Sequence, residues 1–161
     1  METALQRRPM LRWLWLAAVV LLVDYLTKGW AESALREGAI GVLPFLDLRL
    51  AYNTGAAFSL LADAGGWQRW LFAALAIGVA VALVVWLARL PRGEHRLAAA
   101  LALIIGGAVG NLVDRLSLGY VIDFIDVHAA GWHWPAFNIA DSAITIGAVL
   151  LLWDAFRPGR A

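Results

Sequence analysis

Residues Trp70–Leu90 read WLFAALAIGVAVALVVWLARL, the most uniform apolar run in the chain, with no charged residue from Trp70 to Val85. About 20 mainly apolar residues is the length an α-helix needs to cross the hydrocarbon layer of a bilayer. Three further segments, about residues 11–30, 97–116 and 137–156, meet or approach the same criterion. The first is clean to Val23 and then carries Asp24 and Lys28; the third is glycine-rich in its second half. Composition agrees. Of 161 residues, 62% are hydrophobic and 16% charged, whereas soluble domains carry about 45–50% apolar and about 25% charged residues. The expectation is a mainly α membrane protein, a four-transmembrane-helix bundle forming one domain over residues 1–161.

Charge placement orients these spans. Arg7, Arg8 and Arg12 precede the first. Arg89, Arg92 and Arg96 lie between the second and third, and Arg157 and Arg160 follow the fourth. These eight of 13 basic residues fall on one side if four spans alternate. Short basic loops stay cytoplasmic, so both termini are expected inside and residues 31–69 and 117–136 outside. Trp13, Trp15, Trp86 and Trp153 then mark the inner interface, and Trp30, Trp67, Trp70, Trp132 and Trp134 the outer one, as an aromatic belt requires. Arg7-Arg8 before an apolar core also resembles a secretory signal peptide. No small-x-small cleavage site follows promptly, and removal would leave the other basic loops unexplained.

The first outer segment carries its own pattern. Leu46, Leu48, Leu50 and Tyr52 alternate with Asp47, Arg49, Ala51 and Asn53, the period of a half-buried strand. Asn53-Thr54-Gly55 follows as a turn. A small periplasm-side β element is expected at about residues 43–60, lying over the helix ends.

A net charge of +1 gives no basic field for nucleic acid. Cysteine is absent, which removes disulfides, thiolate nucleophiles and cysteine metal sites. His95, His128 and His133 are too scattered in sequence for a metal site, so no metal or cofactor is expected.

The polar residues of the spans collect at one level, the outer interface. Asp24 and Lys28, spaced i,i+4, can pair on one helix face and serve structure. Asn111, Asp114 and Arg115 end the third span, after a Gly106-x-x-x-Gly110 pattern that permits close helix packing. On the fourth, Asn138, Asp141, Ser142 and Thr145 share a face expected to point inward. A carboxylate at membrane depth is costly to ionise and marks a functional site by default. Asp141 and Asp123, in Val121-Ile122-Asp123-Phe124-Ile125, are the candidates. Asp126 competes with Asp123, although its polar surroundings near His128 make solvation easier for it.

Asn53-Thr54-Gly55-Ala56-Ala57-Phe58-Ser59, Gly106-Gly107-Ala108-Val109-Gly110-Asn111-Leu112-Val113-Asp114-Arg115, Val121-Ile122-Asp123-Phe124 and Phe137-Asn138-Ile139-Ala140-Asp141 stand in an order that resembles the lipoprotein (type II) signal peptidases. Asp24 and Lys28 match that family's first span. The resemblance covers nearly the whole chain. It implies an aspartic endopeptidase of the bacterial cytoplasmic (inner) membrane, with its active site at the outer leaflet. Its substrates would be prolipoproteins already carrying diacylglycerol on the lipobox cysteine, cut just before that cysteine. It implies Asp123 and Asp141 as the catalytic pair. Asn53, Gly55, Asn111, Asp114, Arg115, Asn138 and Ala140 would surround them. Membrane lipid and globomycin-like cyclic peptides are implied as partners, and a monomer is expected.

Two carboxylates sharing one proton suit such chemistry. Like charges close together cannot both ionise easily, so one activates water while the other donates to the scissile carbonyl. Spacing does not say which holds the proton; the pair titrates as a unit. Three rivals use the same residues differently. In a Ser-Lys peptidase, Lys28 would activate Ser59 or Ser142. In a proton- or cation-coupled transporter, Asp24, Asp114 and Asp141 would form a relay, for which acidic residues should spread through membrane depth rather than cluster. The third is a purely structural membrane subunit.

Overall fold

A computed structural model describes residues 9–55 and 65–156. A short 3-10 turn, Pro9–Trp13, leads into α1 (Leu14–Ala34). Then come β1 (Ile40–Leu43), β2 (Leu46–Asn53), α2 (Gln68–Arg89), α3 (His95–Ser117), β3 (Val121–Ala129), β4 (Trp132–His133) and α4 (Ile139–Ala155). Among the described residues, three helical stretches are long and apolar enough to cross a membrane: Met10–Ala34, Gln68–Arg89 and His95–Ser117. α4 is shorter, at 17 residues. At about 1.5 Å per residue it spans about 26 Å, against a hydrocarbon layer of about 30 Å.

Helix ends follow local chemistry. α2 stops at Arg89 because Leu90 precedes Pro91, and the proline ring disfavours helical geometry at the residue before it. α3 ends with Leu118 and Gly119 both donating to the Asp114 carbonyl, at 2.7 and 3.2 Å. Gly119 does so at φ 90°, the left-handed conformation that glycine adopts without strain. α4 begins two residues later than expected because Asn138 is extended, with φ −132° and ψ −172°, and caps the helix.

α3 is the central post, packed on α1, α2 and α4. Its glycines explain how. A Cβ on Gly106 would lie 2.8 Å from the Ala17 carbonyl oxygen of α1, and one on Gly107 would run into the Ala140 carbonyl of α4. One apolar core, including Met10, Leu87, Leu97, Leu101 and Ile105, fills the end of the bundle near the 3-10 turn. A second, around Ala31, Leu35 and Phe124, ties α1 to the sheet.

The polar face expected on α4 is displaced. The buried side is made of Ala140, Ala143 and Gly147, whose small size lets α3 approach. Ser142 is half-buried and Thr145 is exposed, so the polar stripe lies along the edge of the packed face rather than at its centre.

The four strands form one antiparallel series, β1-β2-β3-β4. The alternation at residues 46–53 is a strand, as expected, but its partners β1, β3 and β4 had no signal of comparable strength. Residues 56–60 of the expected element lie outside the described residues. β3 and β4 close on Ala130-Gly131, with φ 51° and 82°, the positive pair of a tight two-residue hairpin.

One irregularity in β2 places the site. Leu48 lies opposite Ile125, and Ala51 opposite Asp123, so β2 advances three residues while β3 advances two. This bulge reverses the phase of β2. Before it, even-numbered Leu48 shares a side with Ile125. After it, odd-numbered Ala51 and Asn53 share that side with Asp123 and Val121. Bulges are a recurrent means of re-aiming a side chain beside a functional site.

Candidate active site

Asp123 comes from β3 and Asp141 from the first turn of α4. Asn138 touches both. Its side-chain oxygen accepts the Asp141 backbone N–H at 2.9 Å, and the Asp141 carboxylate accepts the Asn138 backbone N–H at 3.3 Å, a reciprocal capping box. The Asn138 Nδ2 donates to Asp123 Oδ1 at 2.8 Å. It also reaches Asn111 Oδ1 at 3.1 Å and the Ile122 carbonyl at 3.2 Å. The residue that starts α4 is therefore also the bridge between the two carboxylates.

Each carboxylate has a second amide. Asn111 Nδ2, on α3, donates to Asp141 Oδ1 at 2.7 Å. Asn53 Nδ2, re-aimed by the bulge, donates to Asp123 Oδ2 at 3.2 Å. Asn53 Oδ1 in turn accepts the Gly55 N–H at 3.0 Å, which closes the turn after β2. Arg115 donates to the Asn111 carbonyl at 3.3 Å and the Gly55 carbonyl at 3.4 Å, with its guanidinium 5.4 Å from the Phe72 ring centre of α2. All four carboxylate oxygens of the pair thus accept an N–H.

Asp123 is almost fully buried. Burial first, and the Asp141 charge second, push its carboxyl up from 3.8 to about 7. A carboxyl that holds its proton near neutral pH, beside a second carboxylate, is the arrangement in which one group acts as acid and the other as base.

Behind the pair lies a buried ionic knot. Lys28 Nζ is 2.7 Å from Asp24, 2.8 Å from Asp114 and 3.2 Å from Asn111 Oδ1. Asp24 also accepts the Ala140 N–H at 2.9 Å, and so binds the free N-terminus of α4 from another helix. Asp114 accepts the Ile122 N–H at 3.2 Å and anchors the start of β3. Each acidic partner of Lys28 therefore holds one of the backbones that carry the two aspartates. The i,i+4 spacing of Asp24 and Lys28 was legible in sequence. Their cross-helix contacts and the part played by Ile122 were not, since nothing local encodes them.

Asp126 departs from its expected solvation. It is fully buried on the opposite side of β3, held by Arg49 and by His133 at 2.8 Å. His128 and His133, far enough apart in sequence to read as scattered, lie with ring centres 5.0 Å apart and planes tilted by 30°. Strand alternation accounts for the reversal: Asp123 and Asp126 have opposite parity, so only one can face the Asn138 side.

The fold recurs in known proteins, and the sequence is similar to them over most of its length. Residues 16–157 match the family described as signal peptidase (SPase) II. This chain belongs to the signal peptidase II family. A lipoprotein signal peptidase from Pseudomonas fluorescens is 57% identical over 160 residues, covering 98% of this chain and 94% of the relative. One from Pseudomonas aeruginosa is 55% identical, covering 91% and 89%. One from Shewanella baltica is 54% identical, covering 94% and 89%. A bacterial membrane enzyme solved at 2.3 Å resolution superposes with a TM-score of 0.81 at 30% identity, covering 96% of each chain. The chain is thus a peptidase and a multi-pass membrane protein.

Proposed function

We propose that this protein is an aspartic endopeptidase in which Asp123 and Asp141 share one proton and hydrolyse the peptide bond just before a diacylglyceryl-modified cysteine. The coarser activity, removal of signal peptides from prolipoproteins, comes with the family. The observation that carries the finer reading is the single asparagine, Asn138, that holds both buried carboxylates. The ionised carboxylate removes a proton from water. The protonated one donates to the scissile carbonyl as the water oxygen attacks, and a proton passes to the leaving amine when the tetrahedral intermediate collapses. General acid–base terms of this kind contribute about 10²–10⁴-fold.

In this reading α4 completes a four-span bundle forming a single membrane domain. Both termini lie on the cytoplasmic side of the bacterial inner membrane and the pair sits at the outer leaflet. What supports it is the arginine and tryptophan pattern, together with the position of Asp123 on the sheet and Asp141 at the start of α4. An acylated cysteine anchors its chains in that leaflet, which brings the scissile bond to this depth. Asn53, Gly55, Asn111, Asp114, Arg115, Asn138 and Ala140 serve as supports, and Asp24 with Lys28 as the structural pair. The enzyme acts as a monomer, and cyclic peptides of the globomycin type compete with the substrate at the Asp123–Asp141 pair.

The Ser-Lys rival loses its geometry. Lys28 has all three N–H groups engaged, and Ser142 Oγ donates to the Asn138 carbonyl at 2.9 Å. Ser59 lies outside the described residues. The test is cleavage of a diacylglyceryl prolipoprotein by the purified chain. Asp123→Asn and Asp141→Asn should each bind substrate and fail to cut; cleavage by either one removes the pair from the mechanism.

A further inference from the structure

We propose that Lys28 is a positioning residue which, through the amide of Asn111, fixes Asp141 as the ionised base of the pair and leaves the shared proton on Asp123. The proposal rests on the dyad reading above and assigns its two roles.

The reasoning is one of hydrogen-bond direction. An ammonium donates and never accepts. Its contact with Asn111 Oδ1 at 3.2 Å therefore turns the oxygen end of that amide toward Lys28, and Asn138 Nδ2 reinforces the orientation at 3.1 Å. The other end of Asn111 is an NH₂, which also only donates, and it lies 2.7 Å from Asp141 Oδ1. Lys28 cannot turn away, because its other two hydrogens are taken by Asp24 and Asp114.

The two carboxylates then differ in kind. Asp141 accepts from an amide polarised by a buried cation and from the Asn138 backbone N–H at the start of α4, where the helix dipole favours negative charge. Asp123 accepts from two neutral side-chain amides, Asn138 and Asn53, on a strand with no dipole of that size. The upward shift of Asp123 to about 7 agrees with this order. The charged groups acting around Asp141 are Lys28 and Asp24 from α1, Asp114 and Arg115 from α3, and Asp123 from β3. Asp24 and Asp114 are compensated by Lys28. Arg115 is engaged with two carbonyls. Lys28 is thus the cation connected to the pair through a donor whose orientation it sets together with Asn138.

The test uses the full-length enzyme in detergent micelles. Lys28→Met alone leaves two buried carboxylates uncompensated. Lys28→Met with Asp114→Asn keeps the knot at net −1, the same as wild type, and an asparagine oxygen can still accept from Ile122. In this double variant the net charge of the knot is unchanged but the donor on Asn111 Oδ1 is lost. The Asn111 amide then supports the Asp141 carboxylate less, and the acid limb of the kcat/KM profile should move up by about one pH unit, since a hydrogen bond to the charged form lowers a carboxyl. kcat near pH 6 should fall about tenfold with KM changed less than about twofold, and the alkaline limb should stay in place. An unmoved acid limb with kcat retained, or movement of the alkaline limb instead, overturns the proposal.

A second measurement needs no turnover. Isotope-edited infrared spectra at pH 5.5 should show a protonated-carboxyl band from the pair in wild type and Asp141→Asn, and none from it in Asp123→Asn. The reverse pattern overturns the assignment while leaving the dyad intact. Cleavage by either asparagine variant is the distinct outcome in which the dyad reading itself fails.

Discussion

Replacing Asp123 by asparagine should abolish cleavage and change how stability depends on pH. The carboxyl is buried and sits at about 7 in the fold against an ordinary 3.8. Between about pH 4 and pH 7 the folded chain holds a proton that the unfolded chain has released. Stability therefore falls as pH rises through that window. A shift of about three units is worth about 4 kcal/mol at about 1.36 kcal/mol per unit. The substituted amide cannot ionise and escapes this loss. It has one oxygen for two donors, however, Asn138 and Asn53, so one of these amides faces an NH₂ at a cost of about 1–3 kcal/mol. The variant should then be about 1–3 kcal/mol less stable than wild type at pH 4 and about 1–3 kcal/mol more stable at pH 8. Unfolding in micelles, followed by tryptophan fluorescence at both pH values, measures the crossing. A variant that trails wild type by the same margin at both ends refutes the reasoning, because ionisation of Asp123 would then cost the fold nothing.

Asp126→Asn should retain cleavage but lose stability. Burial alone would raise this carboxyl, but Arg49 and His133 overcome it and hold it below the ordinary range. The contribution is therefore present above the ordinary carboxylate range and lost as pH falls through the depressed value. Melting at pH 7 should show a deficit of about 1–3 kcal/mol that fades toward pH 3. Asn53→Ala removes a donor from Asp123 and unties the Gly55 turn, so kcat/KM should fall about 10- to 100-fold in a folded protein; an unchanged value counts against the bulge as a positioning device. Gly107→Ala drives a methyl group into the Ala140 carbonyl and should lower stability by about 1–3 kcal/mol, seen as a lower melting temperature.

The helices were legible because apolar length and arginine bias are properties of single segments. The strand at Leu46–Asn53 was legible because its period is two. β1, with Ile40, Val42 and Leu43 exposed along it, shows no such alternation, and β3 is buried through Val121–Phe124, so neither announces itself by pattern. The candidate site was legible as a set of residues but not as a network. That Asp24 caps a helix 116 positions away, or that Asn53 reaches Asp123 across 70, depends on tertiary contacts. Asp126 has polar neighbours in sequence, but its partner Arg49 arrives from another strand, which no local pattern encodes.

The surplus residue in β2 makes the chain sensitive to parity. Deleting one residue between Leu46 and Ala51 would swing the Asn53 amide through the sheet to the Asp126 side. Inserting two would restore the phase but carry the Thr54–Gly55 turn about 7 Å past its place beneath Arg115. Length variation among homologous chains should therefore accumulate in connecting segments such as 130–131, while the eight positions of β2 keep a constant count however freely their side chains drift.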